Sequence, residues 1–581
     1  MKILFVAPHA GIWVHAFPEA LVAESLTRGG HDVLYLGCRG IMRTQCVTHF
    51  AYKVYADSPE NEREAVCRRC RHMSELIQHQ FGFNRVDIED LVGGEDKLQI
   101  EQSLASVNRD NFLDFQYKGL PVGRFALYQV LLLGKKLDFD FTDREWEIYR
   151  GDLKGCLYVL AAVGRLLDRE KFDSLVTSNS LYGVHQTAAV AAESRGVPSY
   201  SLHAGPNISD RLQTLSIARR DHYVHYAHLK KLWVDYRNLP CDVATLRYLS
   251  EHLIEVMRAR SIFAYSSTVS GKFDLRRHFE VSSGQRVLLA VMSSYDERFA
   301  AEAVDPSLWA DKPVFPKQVD WIKAVVELVS ARPDLFLIIR VHPRDFPNKR
   351  DRQLSDHARQ LAAVFSQLPK NVAVNWPDEG LSLYDLAADV DVVLNGWSSA
   401  GKEMAMLGIP VVVYAPKLIA YAPDLNFVGE TRGAYIDAID EALKSGWSFE
   451  RVRATYRWLA LEQRYAAVNI GDAFARRETG LSPRRIWTAL SRRVGSFLPE
   501  RWECLRRPSS LLAARKICVV FENRFDSVAD MRSSVSASPQ EETAALRAEL
   551  ARLASALHLR RRPESILGRA MLAIIDGKRA A

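Results

Sequence analysis

Three short polar motifs in the second half of the chain each follow an apolar run typical of a buried strand. The first is His342-Pro343: a histidine at the end of a strand can donate to a phosphate oxygen, and a proline fixes the turn beside it. The second contains Asp378 and Glu379, carboxylates that can accept hydrogen bonds from ribose hydroxyls or from a base amino group. Each of these two motifs also fits a purely structural turn.

The third motif lies between a strand and a helix and consists mainly of small residues. Ser398 and Ser399 supply hydroxyl donors, and around Gly401 the backbone N–H groups can face a ligand at the start of the helix. Glu403, one turn further on, could hold a ribose through hydrogen bonds worth about 1.5–3 kcal/mol each. The motif predicts a phosphate site without a Walker lysine, and its structural alternative is a plain helix N-cap.

Alternating strand and helix patterns must position these motifs. Continuous apolar strands separated by helices are typical of parallel sheets covered on both faces. We predict an α/β fold of two doubly wound, Rossmann-like domains facing a cleft, with a helical insertion and a helical C-terminal extension. The predicted strands of the first half are Lys2–Pro8, His31–Gly37, Ser174–Ser178, Ser199–Leu202 and His222–His225. Those of the second half are Val287–Met292, Leu335–Val341, Val372–Asn375, Val390–Leu394 and Pro410–Tyr414. The predicted segments are domain 1–275 with an insertion at about 60–170, domain 276–440, a basic helical extension 441–532, and a linker with a short amphipathic or coiled-coil helix at 533–581.

Composition and charge narrow the class of protein. The 581 residues are 48% hydrophobic and 25% charged, which allows large buried cores and excludes wholesale disorder. The charge balance of 77 − 70 = +7 is mild and does not require nucleic acid, so we expect no nucleic-acid partner. No window reaches the roughly 20 apolar residues of a membrane helix, and the apolar N-terminal run is too short for a signal peptide. We therefore expect a cytoplasmic protein.

The three motifs together resemble GT-B glycosyltransferases, particularly the bacterial capsule-polysaccharide, Kdo- and sialyl-transferase-like groups. The resemblance rests on Arg340-Val-His342-Pro343, Asp378-Glu379-Gly380, Ser398-Ser399, and Gly401-Lys-Glu403 through Gly408-Ile-Pro410-Val411. It covers residues 1–440 and is strongest over 285–416. Retaining enzymes of this fold carry a second glutamate where this chain has Asn395, so the resemblance leaves retaining and inverting chemistry open.

The resemblance implies a nucleotide-sugar donor held mainly by the second domain. His342, Ser398 and Ser399 are expected to contact phosphate, with Gly401 in the same motif, and Glu403 to hold the ribose. Asp378 and Glu379 are associated with catalysis or the donor. The loop with Ser293 and Ser294 commonly contacts the diphosphate or the transferred sugar, although a capped helix start is equally consistent with it. The resemblance also implies that no catalytic metal is needed.

The glycan acceptor is expected to bind the first domain, where loops follow three predicted strands. An inverting transfer needs one general base for the acceptor hydroxyl. The candidate bases are His203, His9 and Asp210, and the candidate acceptor-binding residues are Gly11, Asn179 and Tyr182. Taken alone, each histidine is more often structural than catalytic.

Four cysteines, Cys38, Cys46, Cys67 and Cys70, cluster in the sequence. A quartet with one CxxC pair is compatible with tetrahedral structural zinc, and arginines beside Cys67 and Cys70 would favour thiolates. Free thiols or redox chemistry are the alternatives.

The patterns of two C-terminal segments predict a membrane surface and a second protein chain as binding partners. Residues 484–507 interleave arginines with apolar side chains, a pattern that favours an anionic membrane surface, while a solvated helix packed across both domains is the alternative. Within 544–559, Leu546, Leu550, Leu553 and Leu557 have 4-3-4 spacing. They could form a coiled-coil seam and an oligomer, or the face of a docked amphipathic helix.

We therefore predict a metal-independent GT-B glycosyltransferase that extends a bacterial surface glycan of capsule or lipopolysaccharide type. It would act in the cytoplasm, with a peripheral position on the inner face of the membrane if its acceptor is lipid-linked. A nucleotide-sugar 2-epimerase on the same fold and a non-catalytic polysaccharide-assembly protein are the alternatives.

Overall fold

The structure, a computed structural model, describes residues 1–261, 263–309, 313–348, 352–473, 513–532 and 537–577. Its framework is two separate sheets, of seven and six strands. The first has the order β13-β6-β5-β4-β1-β2-β3 and the second β12-β11-β10-β7-β8-β9. The strands are β1 Lys2–Val6, β2 Asp32–Gly37, β3 Asn84–Asp87, β4 Ser174–Ser178, β5 Ser199–Ala204, β6 Thr214–Arg219, β7 Arg286–Val291, β8 Leu335–Arg340, β9 Val372–Asn375, β10 Val392–Asn395, β11 Val411–Val413, β12 Phe427–Val428 and β13 Ala467–Asn469.

Helices cover the two sheets and form the insertion between β2 and β4. The helices of the first half are α1 Trp13–Arg28, α2 Val47–Ala51, α3 Glu60–Phe81, α4 Ile88–Leu91, α5 Gly94–Ser106, α6 Val122–Phe125, α7 Leu127–Gly134, α8 Asp143–Arg169, α9 Gly183–Glu193, α10 His222–Tyr236, α11 Val243–Arg258 and α12 Leu275–His278. Those of the second half are α13 Tyr295–Val304, α14 Gln318–Ser330, α15 Asp356–Val364, α16 Leu383–Ala387, α17 Ala400–Met406, α18 Arg432–Ser445, α19 Phe449–Ala460, α20 Ala514–Glu522, α21 Pro539–Ala556 and α22 Ile566–Ile575.

The predicted pair of doubly wound domains is confirmed. All strand pairs of the second sheet are parallel, and in the first sheet the neighbours from β5 through β3 are parallel as well. Every residue of β8, Leu335–Arg340, is buried, as expected for a parallel strand covered on both faces. Parallel strands that begin and end in register bring their following loops to one edge of each sheet.

One predicted strand is wrong. His222–His225 forms the first turn of α10, because the Asp221 carboxylate accepts from the N–H groups of Tyr223 and Val224 and so caps a helix there. The strand that continues the sheet is instead β6, which pairs antiparallel with β5. The chain later returns to this edge, where β13 pairs antiparallel with β6 through Ala467 and Ser216.

The insertion contacts the second domain through a buried lysine. Lys135 ends α7 and is 1% exposed. Its ammonium donates to the carbonyl oxygens of Arg344 at 2.5 Å, Gln353 at 2.6 Å and Phe346 at 3.4 Å. This contact holds the insertion against the loop that follows β8.

The C-terminal segments pack onto both domains. Helix α20 lies against α1, and α21 lies against α11. Leu546, Leu550, Leu553 and Leu557 on α21 are buried within their own chain at 0–2% exposure, as expected for a docked amphipathic helix. The basic segment 484–507 lies outside the described residues. No helix in the described ranges has the length and apolar character to cross a membrane.

Leu550→Ala is expected to lower the free energy of unfolding by about 3 kcal/mol, because it removes buried methyl groups from the contact between α21 and α11. Urea unfolding measures this change, and Leu98→Ala is the control because Leu98 is 60% exposed. Unchanged stability combined with an altered oligomeric state would contradict an intramolecular role.

Candidate active site

A cleft lies between the two domains, where the ends of their strands face each other. Its cavity has a volume of about 550 Å³ and is lined by both domains. Six predicted donor-binding residues line it: Ser293, Ser294, His342, Ser398, Ser399 and Glu403. They follow β7, β8 and β10, three neighbouring strands in the middle of the second sheet. Across the cleft lie His203, Arg211 and His222 of the first domain.

His342 presents an N–H donor to the cleft. The backbone N–H of Arg344 donates to its Nδ1 at 3.2 Å, so in the neutral ring the proton is on Nε2. Burial lowers the pKa of His342, which keeps this neutral form dominant at neutral pH. The loop that follows β8 and carries His342 is held by a buried ion pair, in which the Arg344 guanidinium lies 2.8 Å from Asp296 on α13.

The hydroxyl groups of the serine motifs have different partners. Ser294 donates to Asp296 at 2.9 Å, and Ser399 donates to Glu403 at 3.3 Å, so these two protons are already used. The Ser398 oxygen instead accepts from the Ala400 N–H at 3.3 Å, which allows its proton to point towards a ligand. Ser293 accepts from the Trp397 N–H at 3.1 Å and ties the loop after β10 to the one after β7.

Glu403 lines the second-domain side of the cleft, and two hydroxyl groups hold its carboxylate in place. Tyr384 donates to one carboxylate oxygen at 2.8 Å, and Ser399 donates to the other. Burial raises the pKa of Glu403 above its ordinary value, and the hydrogen bond from Tyr384 partly offsets this effect. The carboxylate is thus positioned by protein donors and retains lone pairs for a sugar hydroxyl.

Gly401 allows the loop that follows β10 to pack closely against Tyr421 and Asn395. A Cβ at this position would lie 2.1 Å from the Tyr421 hydroxyl and 2.4 Å from the Asn395 amide. Asn395 in turn donates to the Ser398 carbonyl at 2.9 Å and accepts from the Ser398 N–H at 3.1 Å. The glycine is therefore required for close packing, and it does not line the cleft.

His203 has the geometry of a proton acceptor. Its Nδ1 lies 2.9 Å from the Ala204 carbonyl oxygen, which can only accept, so Nδ1 carries the proton and Nε2 is left with a lone pair. Burial and the nearby charge of Arg211 lower the pKa of His203 to about 4. The ring is therefore neutral at neutral pH. His222 lies beside it, with ring centroids 5.0 Å apart.

A buried charged group that sequence reasoning missed forms part of the same cavity wall. Lys402 lies 2.5 Å from Glu462, and Tyr226 donates to the same carboxylate at 2.6 Å. Glu462 is 1% exposed. Lys402 and Glu462 are 60 residues apart in the sequence, so no local pattern could pair them.

Further cations and aromatic rings line the cleft. Arg298 lies over the Trp397 ring at 4.9 Å and adds positive charge beside the serine loops. Arg340 is also present, but its guanidinium is bound to the Asn375 side chain and to the Leu381 carbonyl. Tyr265 packs against His342, with ring centroids 5.8 Å apart.

Five predicted residues of the first domain do not line this cavity. His9 is buried against His185, with ring centroids 5.2 Å apart, and Asp210 accepts from the Tyr248 hydroxyl at 2.9 Å. The remaining three are Gly11, whose N–H donates to the Cys70 sulfur, Asn179, which has a left-handed φ of 38°, and Tyr182, which packs edge-on against Tyr128. The contacts of these residues lie within the first domain and not in the cleft, and that of Asn179 joins its carbonyl oxygen to the His185 ring.

The acidic pair also lies outside the cavity lining. Asp378 and Glu379 follow β9, which is the edge strand of the second sheet, away from the central β10, β7 and β8. The Glu379 carboxylate accepts from the Trp376 N–H at 2.7 Å and from the Asn375 amide at 2.9 Å. Glu379 therefore caps a turn, whereas the structural alternative for this motif was a turn capped by Asp378.

The four clustered cysteines surround a small cavity with His49. Cys46 and Cys67 lie 3.3 and 3.5 Å from opposite nitrogens of the His49 ring. In the part of the chain that the structure describes, no three ligand atoms of this cluster lie within 4.8 Å of one another. Burial raises the thiol pKa of Cys67 to about 11 and of Cys70 to about 12, opposite to the thiolates predicted from the neighbouring arginines.

No protein-family model matches the chain, and its sequence matches no curated protein. Similar solved structures include the β-Kdo 2,4 transferase KpsC of Thermosulfurimonas dismutans, 15% identical over 49% of this chain and 79% of that one, with a TM-score of 0.30. A UDP-GlcNAc 2-epimerase from Neisseria meningitidis bound to UDP-GlcNAc is 12% identical over 80% of this chain and 99% of that one, with a TM-score of 0.22. The calicheamicin glycosyltransferase CalG4 is 14% identical over 86% and 99%, with a TM-score of 0.24.

With identities of 12–15% and TM-scores of 0.22–0.30, these similarities identify neither an activity nor a substrate. Both transferases and epimerases occur among them. The two doubly wound domains and the cleft between them are the GT-B-like arrangement that the sequence predicts.

Proposed function

We propose that the chain is a glycosyltransferase that moves a sugar from a nucleotide-sugar donor to a growing bacterial surface glycan. The observation that carries the proposal is the composition of the cleft. The second-domain side of the cleft carries hydrogen-bond donors and the Glu403 carboxylate, which could accept from a ribose hydroxyl. The first-domain side carries His203, a neutral histidine with a free lone pair on Nε2. The volume of about 550 Å³ is within the roughly 300–1,000 Å³ of small-molecule sites.

The donor would bind along the second domain. The Nε2 proton of His342 and the hydroxyl of Ser398 can donate to its phosphate oxygens, and Arg298 adds positive charge nearby. Glu403 can accept from the ribose hydroxyls. Fixed donors aimed at the leaving phosphate stabilise the charge that develops there as the glycosidic bond breaks. In this proposal the protein supplies that stabilisation without a catalytic metal.

The acceptor hydroxyl would enter from the first domain. In a single displacement its oxygen attacks the anomeric carbon, the bond to the phosphate oxygen breaks, and His203 Nε2 takes the hydroxyl proton. This route inverts the anomeric centre. Among the three candidate bases, the position of His203 in the cleft lining favours it over His9 and Asp210.

The biological setting is proposed from the sequence. The motifs around Arg340 and Ser398 resemble capsule and Kdo transferases, which supports a capsule or lipopolysaccharide glycan as the acceptor. The arginine-rich segment 484–507 supports a peripheral position on the inner membrane face, where lipid-linked glycans grow.

A nucleotide panel tests the proposal. We expect one of CMP, CDP, UDP and GDP to raise the melting temperature of the wild-type protein, because a ligand at 100 times its Kd stabilises the native state by about 2.7 kcal/mol. His342→Ala should lose most of this shift, since it removes the phosphate donor. His278→Ala is the control, because His278 is an exposed histidine outside the cleft.

Further outcomes separate the alternatives. Donor turnover without an acceptor, giving free epimerised sugar, would identify an epimerase. No shift with any nucleotide in a folded sample would contradict both enzymes and support an assembly protein.

A further inference from the structure

Three metal-binding side chains meet on the first domain, at the sheet edge opposite the cleft. His31 directly precedes β2, and Cys518 and Glu522 lie one turn apart on α20. Their ligand atoms all lie within 4.8 Å of one another. The His31 Nε2 is 3.3 Å from a Glu522 oxygen, a separation that two ligands of one metal ion commonly have.

Packing between α1 and α20 brings this trio together. The Cys518 sulfur lies so near Gly29 that a Cβ there would be 2.6 Å from it, so glycine permits the approach. The sulfur also contacts the Ser25 carbonyl oxygen at 3.4 Å. His31 is fixed by its backbone N–H, which donates to the Leu26 carbonyl at 3.1 Å. Cys518 is therefore held against the end of α1, and the backbone of His31 is held by the turn that follows α1.

The polar atoms of the trio point to an ion. The buried His31 Nε2 makes no hydrogen bond with good geometry, although Glu522 is close to it. Cys518 is 3% exposed, whereas the Glu522 side chain is 30% exposed, so a cation can enter from the solvent side. Arg515 lies 3.2 Å from Glu522 and is the charged group that competes for this carboxylate.

We propose that Zn²⁺ binds between His31, Cys518 and Glu522 and fastens α20 to the turn between α1 and β2. Thiolate, imidazole and carboxylate are the usual zinc ligands, and a thiolate disfavours Mg²⁺ and Ca²⁺. Three protein ligands leave a fourth position for water. The thiolate and the carboxylate together balance the two positive charges, and the thiol releases its proton to solvent on binding.

The test uses the full chain, stripped of metal with a chelator, and added Zn²⁺ or Co²⁺. We expect zinc to raise the melting temperature and cobalt to give a thiolate charge-transfer absorption band. Cys518→Ser should abolish that band, and Glu522→Gln should weaken zinc binding by more than the roughly 10-fold that loss of an outer-shell partner costs. Glu522→Gln is the safer variant, since the side chain is partly exposed and keeps its shape.

A matched control addresses the other cysteines. Cys67→Ser alters the cluster around His49 and should leave the band and the zinc shift unchanged. A band that is lost in Cys67→Ser and kept in Cys518→Ser would overturn the proposal, and so would zinc that changes neither stability nor the cobalt spectrum. The zinc effect should persist in His342→Ala, which separates this site from the proposed transferase function.

Discussion

Glu403→Gln is expected to weaken donor binding by about 10- to 150-fold, which corresponds to the roughly 1.5–3 kcal/mol of a hydrogen bond to a charged group. Glutamine keeps the shape of the side chain, its single amide oxygen can still accept from the Tyr384 hydroxyl, and its NH2 group can donate to the Ser399 oxygen. It removes the negative charge that a ribose hydroxyl would meet. The loss should therefore appear in affinity and not in folding.

Calorimetric titration with the nucleotide that stabilises the wild type measures this effect. Glu379→Gln is the matched control, because it makes the same change in the same domain outside the cavity lining. An unchanged Kd in Glu403→Gln would remove Glu403 from the donor site.

The pH dependence offers an internal check on the same residue. Burial raises the pKa of Glu403, so its carboxylate takes up a proton at a higher pH than an exposed glutamate does. Donor affinity should therefore fall as the pH is lowered through that raised pKa. In Glu403→Gln this part of the pH dependence should be absent.

Lys402→Met is expected to lower the free energy of unfolding by about 3–5 kcal/mol. It leaves the Glu462 carboxylate buried without the ammonium that lies 2.5 Å away, and removing one partner of a buried ion pair has this typical effect. The remaining hydrogen bond from Tyr226 compensates only part of the lost attraction.

Urea unfolding of single and double variants isolates the pair. In Lys402→Met/Glu462→Gln the buried charge is also removed, so most of the lost stability should return. Lys444→Met is the control, because Lys444 is exposed on the same domain. If the double variant is as unstable as Lys402→Met alone, the effect comes from packing and not from the unpaired charge.

Much of the donor side could be predicted because local patterns fix where strands end. Ser293, His342 and Ser398 follow apolar runs, and parallel strands deliver their following loops to one edge of a sheet. The order of the strands was not accessible in this way. Only the tertiary structure places β10, β7 and β8 side by side and β9 at the edge, which leaves Asp378 and Glu379 outside the cleft.

The sequence by itself determined the two α/β domains and the motifs that end their strands, because hydrophobic periodicity and turn residues act over a few neighbouring positions. The tertiary structure alone decided which distant groups meet. It paired Lys402 with Glu462, selected His203 from three candidate bases as the one that lines the cleft, and brought Cys518 to His31, 487 residues apart in the chain. Such contacts depend on how whole helices and sheets pack, and spacing along the chain carries no record of that packing.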